Sequence, residues 1–387
     1  MGGVLNTLKS NVRQYGMVIA LVLIVGLFQY LTDGILLMPL NITNLILQNS
    51  YILILAIGMV LVIITGHIDL SVGSIAAFVG AMAAIMIVDY NLSVPVTIAI
   101  CLVMGILIGA WQGFWVAYIG IPSFIVTLAG MLLFRGLTMV VLEGLSIGPF
   151  PESFQKMSSG FVPDVFNNPD LNLFSVVLGI IIAILFTISD WKSRMTQLKY
   201  KLEVSSFGLF VVKNVIFGAL FISLSYVLAT YQGIPNILVI LFFLILIYSF
   251  ISNRTVIGRH IFAVGGNLKA AALSGIKTKK VTFLVFVNMG MLAAVSGLIF
   301  AARLNSATPK AGNLFELDAI AACFIGGASA YGGVGTVGGA MIGGLVMGVM
   351  NNGMSIIGMG IDWQQAIKGL VLLAAVGFDI YNKNRAS

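Results

Sequence analysis

Val264-Gly-Gly-Asn-Leu-Lys-Ala-Ala-Ala-Leu-Ser-Gly-Ile-Lys-Thr-Lys-Lys280 is a short polar stretch between two long apolar runs, in a chain whose mean hydropathy is +1.08. Asn267 is placed as an N-cap, an alanine-rich turn follows, and Gly275 stands as a C-terminal stop, so the spacing predicts a mini-helix from Asn267 to Ser274. At 1.5 Å rise per residue that helix is roughly 12 Å long, well short of a hydrocarbon core of roughly 30 Å. It must lie along a surface. Arg254, Arg259, Lys269, Lys277, Lys279 and Lys280 surround it with no acid among them, which by the positive-inside rule assigns 252–280 to the cytoplasm.

Outside this stretch the chain is dominated by apolar residues. Of its 387 residues 59% are apolar and 9% charged, whereas a soluble domain carries about a quarter charged residues. The composition excludes a soluble globular protein and implies an all-α polytopic membrane protein. A net charge of +7 would suggest nucleic acid in a soluble chain, but its distribution excludes that partner. Besides the six residues above, basic residues gather at Lys9 and Arg13, at Lys192, Arg194, Lys199, Lys201 and Lys213, and at Lys383 and Arg385, in segments separated by even numbers of apolar runs. Those segments are expected inside. Asp33, Asp89, Glu143, Glu152, Asp164, Asp170, Glu316, Asp318 and Asp362 are expected on the outer side. The first apolar run lacks a small-residue cleavage site and reads as an uncleaved signal anchor. Cys101 and Cys323 both lie in apolar segments and read as packing, with no metal site implied.

The spans expected in order are Tyr15 to Thr32, Asn44 to Thr65, Val72 to Val88, Val94 to Tyr118, Pro122 to Leu142, Leu173 to Ser189, Asn214 to Thr230, Asn236 to Ile251 and Val281 to Ala302, then Gly335 to Ile357 and Trp363 to Tyr381. Asp318 to Ala330 is short, ends in Gly326 and Gly327, and reads as a half-helix sheltered by protein. Counted as a crossing, it gives about twelve, an even number that keeps both basic termini in the cytoplasm. Residues 1–387 are expected to form one permease domain, with 143–172 as an extracytoplasmic loop, 190–213 as a cytoplasmic loop and 252–280 as the cytoplasmic coupling segment. Pro149, Pro151, Pro163 and Pro169 mark the outer loop as the largest external feature.

Gly-Gly-Asn-x-x-Ala-Ala-x-x-Ser-Gly-Ile before an apolar helix resembles the coupling loop of the sugar permeases of bacterial ABC importers. The resemblance extends to Gly66-His-Ile-Asp-Leu-Ser-Val-Gly-Ser74, Ile121-Pro-Ser-Phe-Ile-Val-Thr-Leu128 and Glu316-Leu-Asp-Ala-Ile-Ala-Ala322, and is greatest to the xylose and multiple-monosaccharide branch. It implies an inner-membrane importer of a pentose or hexose working by alternating access. It also implies a homodimer, a separate ABC ATPase subunit that carries ATP and Mg, and a periplasmic sugar-binding protein. This chain would then be no enzyme and hold no cofactor. Gly265, Gly266, Asn267, Lys269, Ala270, Ala271, Ala272, Ser274 and Gly275 become the candidates for contact with the ATPase.

Other constellations have structural readings that compete with functional ones. His67, Asp69 and Ser71 sit at a helix break, where ionisable groups are functional suspects, yet Asp69 and Ser71 are also good N-caps, and capping is the preferred reading. Gln48, Asn49, Gln112, Asn288, Asn351 and Asn352 offer hydrogen bonds to a hydroxylated solute, although such residues more commonly join helices. Arg135 and Glu143, two turns apart on one helix face, read as a local pair. Gly333-Val-Gly-Thr-Val-Gly338 matches the dinucleotide fingerprint but follows no strand and lacks the later acid, so it is rejected. Gly105, Gly109 and Gly113, and Gly335, Gly339, Gly343, Gly344 and Gly348, recur at spacings that let helix backbones approach closely, within the subunit in preference to across a dimer. The rival mechanism is an ion-coupled sugar transporter relaying protons through His67 and Asp69 without an ATPase.

Overall fold

The computed structural model describes residues 12–166, 168, 171–202, 204 and 206–386. Lys9, Pro169 and Asp170, used above, lie outside the described residues. Among those described, the chain is helical, with two isolated β-bridges, Ile147 to Ala307 and Phe161 to Pro235. Among the described residues, eight helices are long and apolar enough to cross a membrane, as the hydropathy requires, so this is a multi-pass membrane protein.

The chain divides into two compact units, one of Met1–Leu36, Leu45–Ser159 and Ile237–Ser387, the other of Leu37–Asn44 and Gly160–Asn236. The larger unit begins with α1 (Val12–Leu31) and α2 (Pro39–Ile64), whose first residues fall in the smaller unit. After the break come α3 (Val72–Ala84) and α4 (Val94–Phe114), each extended by a terminal π-helical turn, then α5 (Ser123–Val141) and the short α6 (Glu152–Ser159). It resumes with α9 (Asn236–Arg254), α10 (Val256–Gly266), α11 (Leu268–Leu273), α12 (Thr278–Leu304), the half-helix α13 (Phe315–Ile325), α14 (Val337–Ile356) and α15 (Ile361–Ala386).

Small residues set the packing of this unit. A side-chain β-carbon on Gly105 would lie 2.5 Å from the Gly290 carbonyl oxygen, and one on Gly109 would lie 2.4 Å from that of Phe286, so α4 and α12 touch backbone to backbone. Gly297 meets the Ala76 carbonyl and Gly343 that of Ala322, which brings α3 onto α12 and α14 onto α13. Ile54, Leu55, Ala56, Ile57 and Met59 of α2 are fully buried. Around Phe28, Val346, Met350 and Met354, α1 and α14 share an apolar cluster. Close backbone approach is how helices gain van der Waals contact where lipid is as apolar as leucine.

The smaller unit is a hairpin of α7 (Leu173–Lys199) and α8 (Phe207–Ala229). The hydroxyl of Ser225 fills the place that a side chain on Gly179 would need, and the outer surfaces carry exposed apolar residues such as Ile184, Leu185, Val215 and Ile216. Asn172 caps α7 by accepting from the Ser175 amide at 3.0 Å. The slight burial of Asp164 raises its pKa, and hydrogen bonds from the amides of Phe166, Phe174 and Asn168 outweigh that, holding the carboxyl below its ordinary range.

Helix boundaries differ from expectation at the basic segment 190–213. Trp191 to Lys199 contains no proline or glycine, so α7 continues through it, and the connection shrinks to residues between Lys199 and Phe207. The charges lie on helices: Lys213 Nζ is 2.6 Å from Asp190 Oδ1, and the Arg194 guanidinium stands 5.3 Å from the Phe210 ring centroid.

The α4–α12 contact gives a stability test. Gly290→Ala would place a methyl 2.3 Å from the Gly105 carbonyl oxygen, whereas Gly338→Ala meets nothing within 4 Å. The first is expected to destabilise the detergent-solubilised protein by about 1–3 kcal/mol and the second to leave the thermal midpoint unchanged, as measured by thermal unfolding.

Candidate functional site

The mini-helix forms as α11, and its cap is the expected one: Asn267 Oδ1 accepts from the Ala270 amide at 2.9 Å. Gly275 closes the turn at φ +84°, a left-handed conformation that favours glycine, and Ser274 Oγ donates to the Ala270 carbonyl. Lys269, Ala270, Ala272 and Ser274 are exposed, and Leu273 is 90% exposed, while Ala271 is 5% exposed. Ala271 therefore packs inward, and the outward face of α11 consists of its neighbours.

Gly265 and Gly266, at the end of α10, differ sharply. A β-carbon on Gly265 would lie 1.6 Å from the Ile64 carbonyl oxygen and 2.7 Å from the Gly333 nitrogen, whereas one on Gly266 meets nothing within 4 Å. The same Ile64 carbonyl accepts from the Gly333 amide at 2.8 Å. Gly332 and Gly333 have φ of +79° and +74°, and Gly332 approaches Gly66 as well. The base of the segment that carries α11 is thus clasped by the end of α2 and by the loop between α13 and α14. The motif rejected as a nucleotide fingerprint contributes Gly333 to this junction, which sequence spacing alone did not suggest.

Beyond Gly66, the break is held by a buried polar chain. Asp69, 1% exposed, accepts through Oδ1 from the Ser71 amide at 2.9 Å and from the Ser71 hydroxyl. Ser71 Oγ in turn accepts from Gln112 Nε2 at 2.8 Å. Gln112 fits because position 130 is glycine, where a β-carbon would lie 2.4 Å from Nε2. Asp69 therefore satisfies the amide just before α3 begins, and Ser71, whose hydroxyl is occupied, makes no cap bond to the helix. The His67 ring lies 5.9 Å from that of Phe286.

The other polar candidates separate into two settings. Asn49, whose Nδ2 donates to the Leu45 carbonyl at 2.8 Å, is packed on by Gly348, so Asn49 on α2 faces α14 one turn from Asn352. Asn288 instead accepts from the Tyr248 hydroxyl at 2.5 Å. Gly335 packs on Ile64 and Val60, Gly339 on the Gly326 carbonyl, and Gly344 on Leu53, while Gly113 meets the Phe283 carbonyl, all within the same chain.

Two expectations are corrected. Arg135 does not pair with Glu143: its Nη1 donates to the Ala311 carbonyl at 2.6 Å, and its charge acts on Glu316. Glu316 and Asp318, read as surface acids, are instead buried, at 6% and 8% exposed. The reason is the loop before α13, where a side chain on Gly312 would lie 1.9 Å from the Gly73 carbonyl oxygen. That contact draws the first turn of α13 inward. Asp318 Oδ1 then pairs with Lys368 Nζ at 2.9 Å, and Glu316 Oε2 is buried with no hydrogen-bond partner. An isolated lysine in the last apolar run was the sequence signal for this pair. Among the described residues no group of His, Cys, Asp and Glu could hold a metal, and Cys101 and Cys323 are free and buried.

Replacing Lys368 with Met strands Asp318 in a poorly solvated place and is expected to cost up to about 3 kcal/mol. The double variant Asp318→Asn, Lys368→Met removes the unpaired charge and should recover most of the folded yield, read by size-exclusion chromatography and thermal unfolding.

Comparison with known proteins agrees with this architecture. The family profile described as branched-chain amino acid transport system, permease component, matches residues 41–376. The chain is 42% identical to the xylose transport system permease protein XylH of Haemophilus influenzae, over 98% of this chain and 99% of that protein. It is 38% identical to XylH of Escherichia coli K12, over 100% and 96%, and 34% identical to the ribose import permease protein RbsC of the same strain, over 96% and 95%. No solved structure matches. The chain belongs to the permease family of the branched-chain amino acid transport system type, on the branch of the xylose and ribose permeases.

Proposed function

We propose that this chain is the membrane-spanning subunit of an ABC importer that carries a monosaccharide, a pentose or hexose, across the bacterial inner membrane by alternating access. The observation that carries the reading is the mechanical junction at Gly265. A mini-helix that exposes Ala270, Ala272 and Leu273 beside Lys269 and Ser274 stands on a base clasped by backbone contacts to α2 and to the α13–α14 loop. A push on that face is passed directly to membrane helices, since packed backbones have little room to yield. The names of the similar proteins, xylose and ribose permeases, support the substrate class.

The ATP and Mg belong to a separate ABC ATPase on α11, the periplasmic sugar-binding protein rests on 143–172, and two copies of the permease form the path. With α1, α14, α15 and the short α13 counted beside the eight long apolar helices, the chain makes twelve crossings, and the positive-inside rule keeps both basic termini in the cytoplasm. Asn49 and Asn352, on the facing stretches of α2 and α14, are the path candidates that the contact at Gly348 favours. A proton relay through Asp69 is not favoured, because its carboxylate is engaged by Ser71.

Ala272→Trp, on the exposed face, is expected to leave insertion and yield unchanged while abolishing retention of the ATPase and sugar-stimulated ATP hydrolysis. Ala271→Trp should instead reduce folded yield, because that side chain is buried. Full ATP-dependent uptake by Ala272→Trp and by Ala270→Trp would remove α11 as the coupling element. Topology is read from cysteines at 156 and 199, both exposed: an impermeant thiol reagent should label 156 and not 199 in intact cells, and the reverse pattern would sink the twelve-crossing arrangement.

A further inference from the structure

Beside the coupling segment, between α9, α10 and the start of α12, lies a cavity of about 620 Å³, within the size range of small-molecule sites. Its walls are apolar, with Leu61, Ile251, Ile261 and Leu284 among them, and Asn288 and Tyr248 also line it. Three basic side chains line it as well, His260, Lys277 and Lys280, and no acid does.

Two features of the local structure call for an anion there. Lys277, Lys279 and Lys280 sit at the start of α12, where the helix dipole is positive and acids are the favoured neighbours. That first turn carries no acid, and the helix has no side-chain cap. Among the described residues, none of these lysines forms an ion pair. Positive charge is thus piled on a positive helix end, and a bound phosphate would relieve it.

The route into the cavity decides which anion. Phe243, Leu246, Ile247 and Phe250 of α9 are exposed at a spacing that makes one helix face. This apolar stripe leads to Ile251 and to Val256 and Ile257, which line the cavity and of which the last two are exposed. An apolar approach continuous with the lipid-facing surface admits an amphiphile, whereas a soluble anion would gain nothing from it.

We infer that this cavity binds one anionic phospholipid, its headgroup phosphate held by Lys277, Lys280 and His260 and an acyl chain lying between α9 and α12. The inference rests on the membrane reading of the chain, and on the importer reading only for the leaflet, the cytoplasmic one. Binding is measured on the permease alone, so its failure and that of the importer reading are distinguishable.

The test is native mass spectrometry of the purified permease exchanged against vesicles of equal parts phosphatidylglycerol and phosphatidylcholine. One phosphatidylglycerol per chain is expected, preferred by about 30-fold if each cavity lysine contributes the usual surface attraction. Lys277→Ala with Lys280→Ala should bring that preference close to one. Lys279→Ala, on the same turn but outside the cavity, should keep it, and Leu284→Trp should reduce retention by filling the space. Equal retention of phosphatidylcholine, an unchanged preference in the double variant, or an equal loss with Lys279→Ala would overturn the proposal. So would displacement by inorganic phosphate alone, which marks a soluble anion, or a dimer that excludes lipid from the cavity.

Discussion

Gly265 has no side chain, and the Ile64 carbonyl and the Gly333 amide stand where one would be. This contact joins three pieces distant in sequence: the end of α2, the loop between α13 and α14, and the segment that carries α11. None can shift by the width of a methyl group without moving the others. A force on α11 therefore reaches the end of α2 and the α13–α14 loop at once, with no flexible side chain between. Gly66 and Gly332 enlarge the junction, and the left-handed backbone at all three of Gly66, Gly332 and Gly333 is one that other residues adopt at a cost.

The same economy of side chains organises the interior. Gly105 and Gly109 against α12, and Gly343 against α13, bring backbones within van der Waals distance. Several buried polar residues find partners across these contacts. Asp69, Ser71 and Gln112 form one chain of hydrogen bonds across the break. Asp318 has Lys368, and Arg135 has the Ala311 carbonyl with the charge of Glu316 nearby. Each engages helices far apart in the sequence, so these groups fix which helices are neighbours as well as satisfying one another. Glu316 Oε2, like Ser74 Oγ and Thr97 Oγ1, is buried without a partner among the described residues.

Much of the architecture was legible because membranes impose strong one-dimensional rules. Length and apolarity located the long helices, and the Asn267 cap and Gly275 stop delimited α11, since capping is a local matter of four or five residues. The half-helix was legible for the same reason: the stretch read at Asp318 to Ala330, found at Phe315–Ile325, is too short for a full-length membrane helix. Where the rule was weaker the reading slipped. Charge between Lys192 and Lys213 suggested a loop, but charged residues without proline or glycine extend a helix beyond an apolar core as readily as they end one.

By itself the sequence determined the class of protein, the order of its long helices, the position of the mini-helix α11 and the resemblance that points to its family. Those follow from composition, periodicity and local motif, which are properties of contiguous residues. Only the tertiary structure decided that Ala271 faces inward, that Glu316 and Asp318 are interior, that Arg135 answers to α13 and not to Glu143, and that Gly333 serves a helix junction. Each of these depends on which backbone lies within a few ångströms of a given residue, and that distance is set by packing between segments up to some 270 positions apart, as at Ile64 and Gly333.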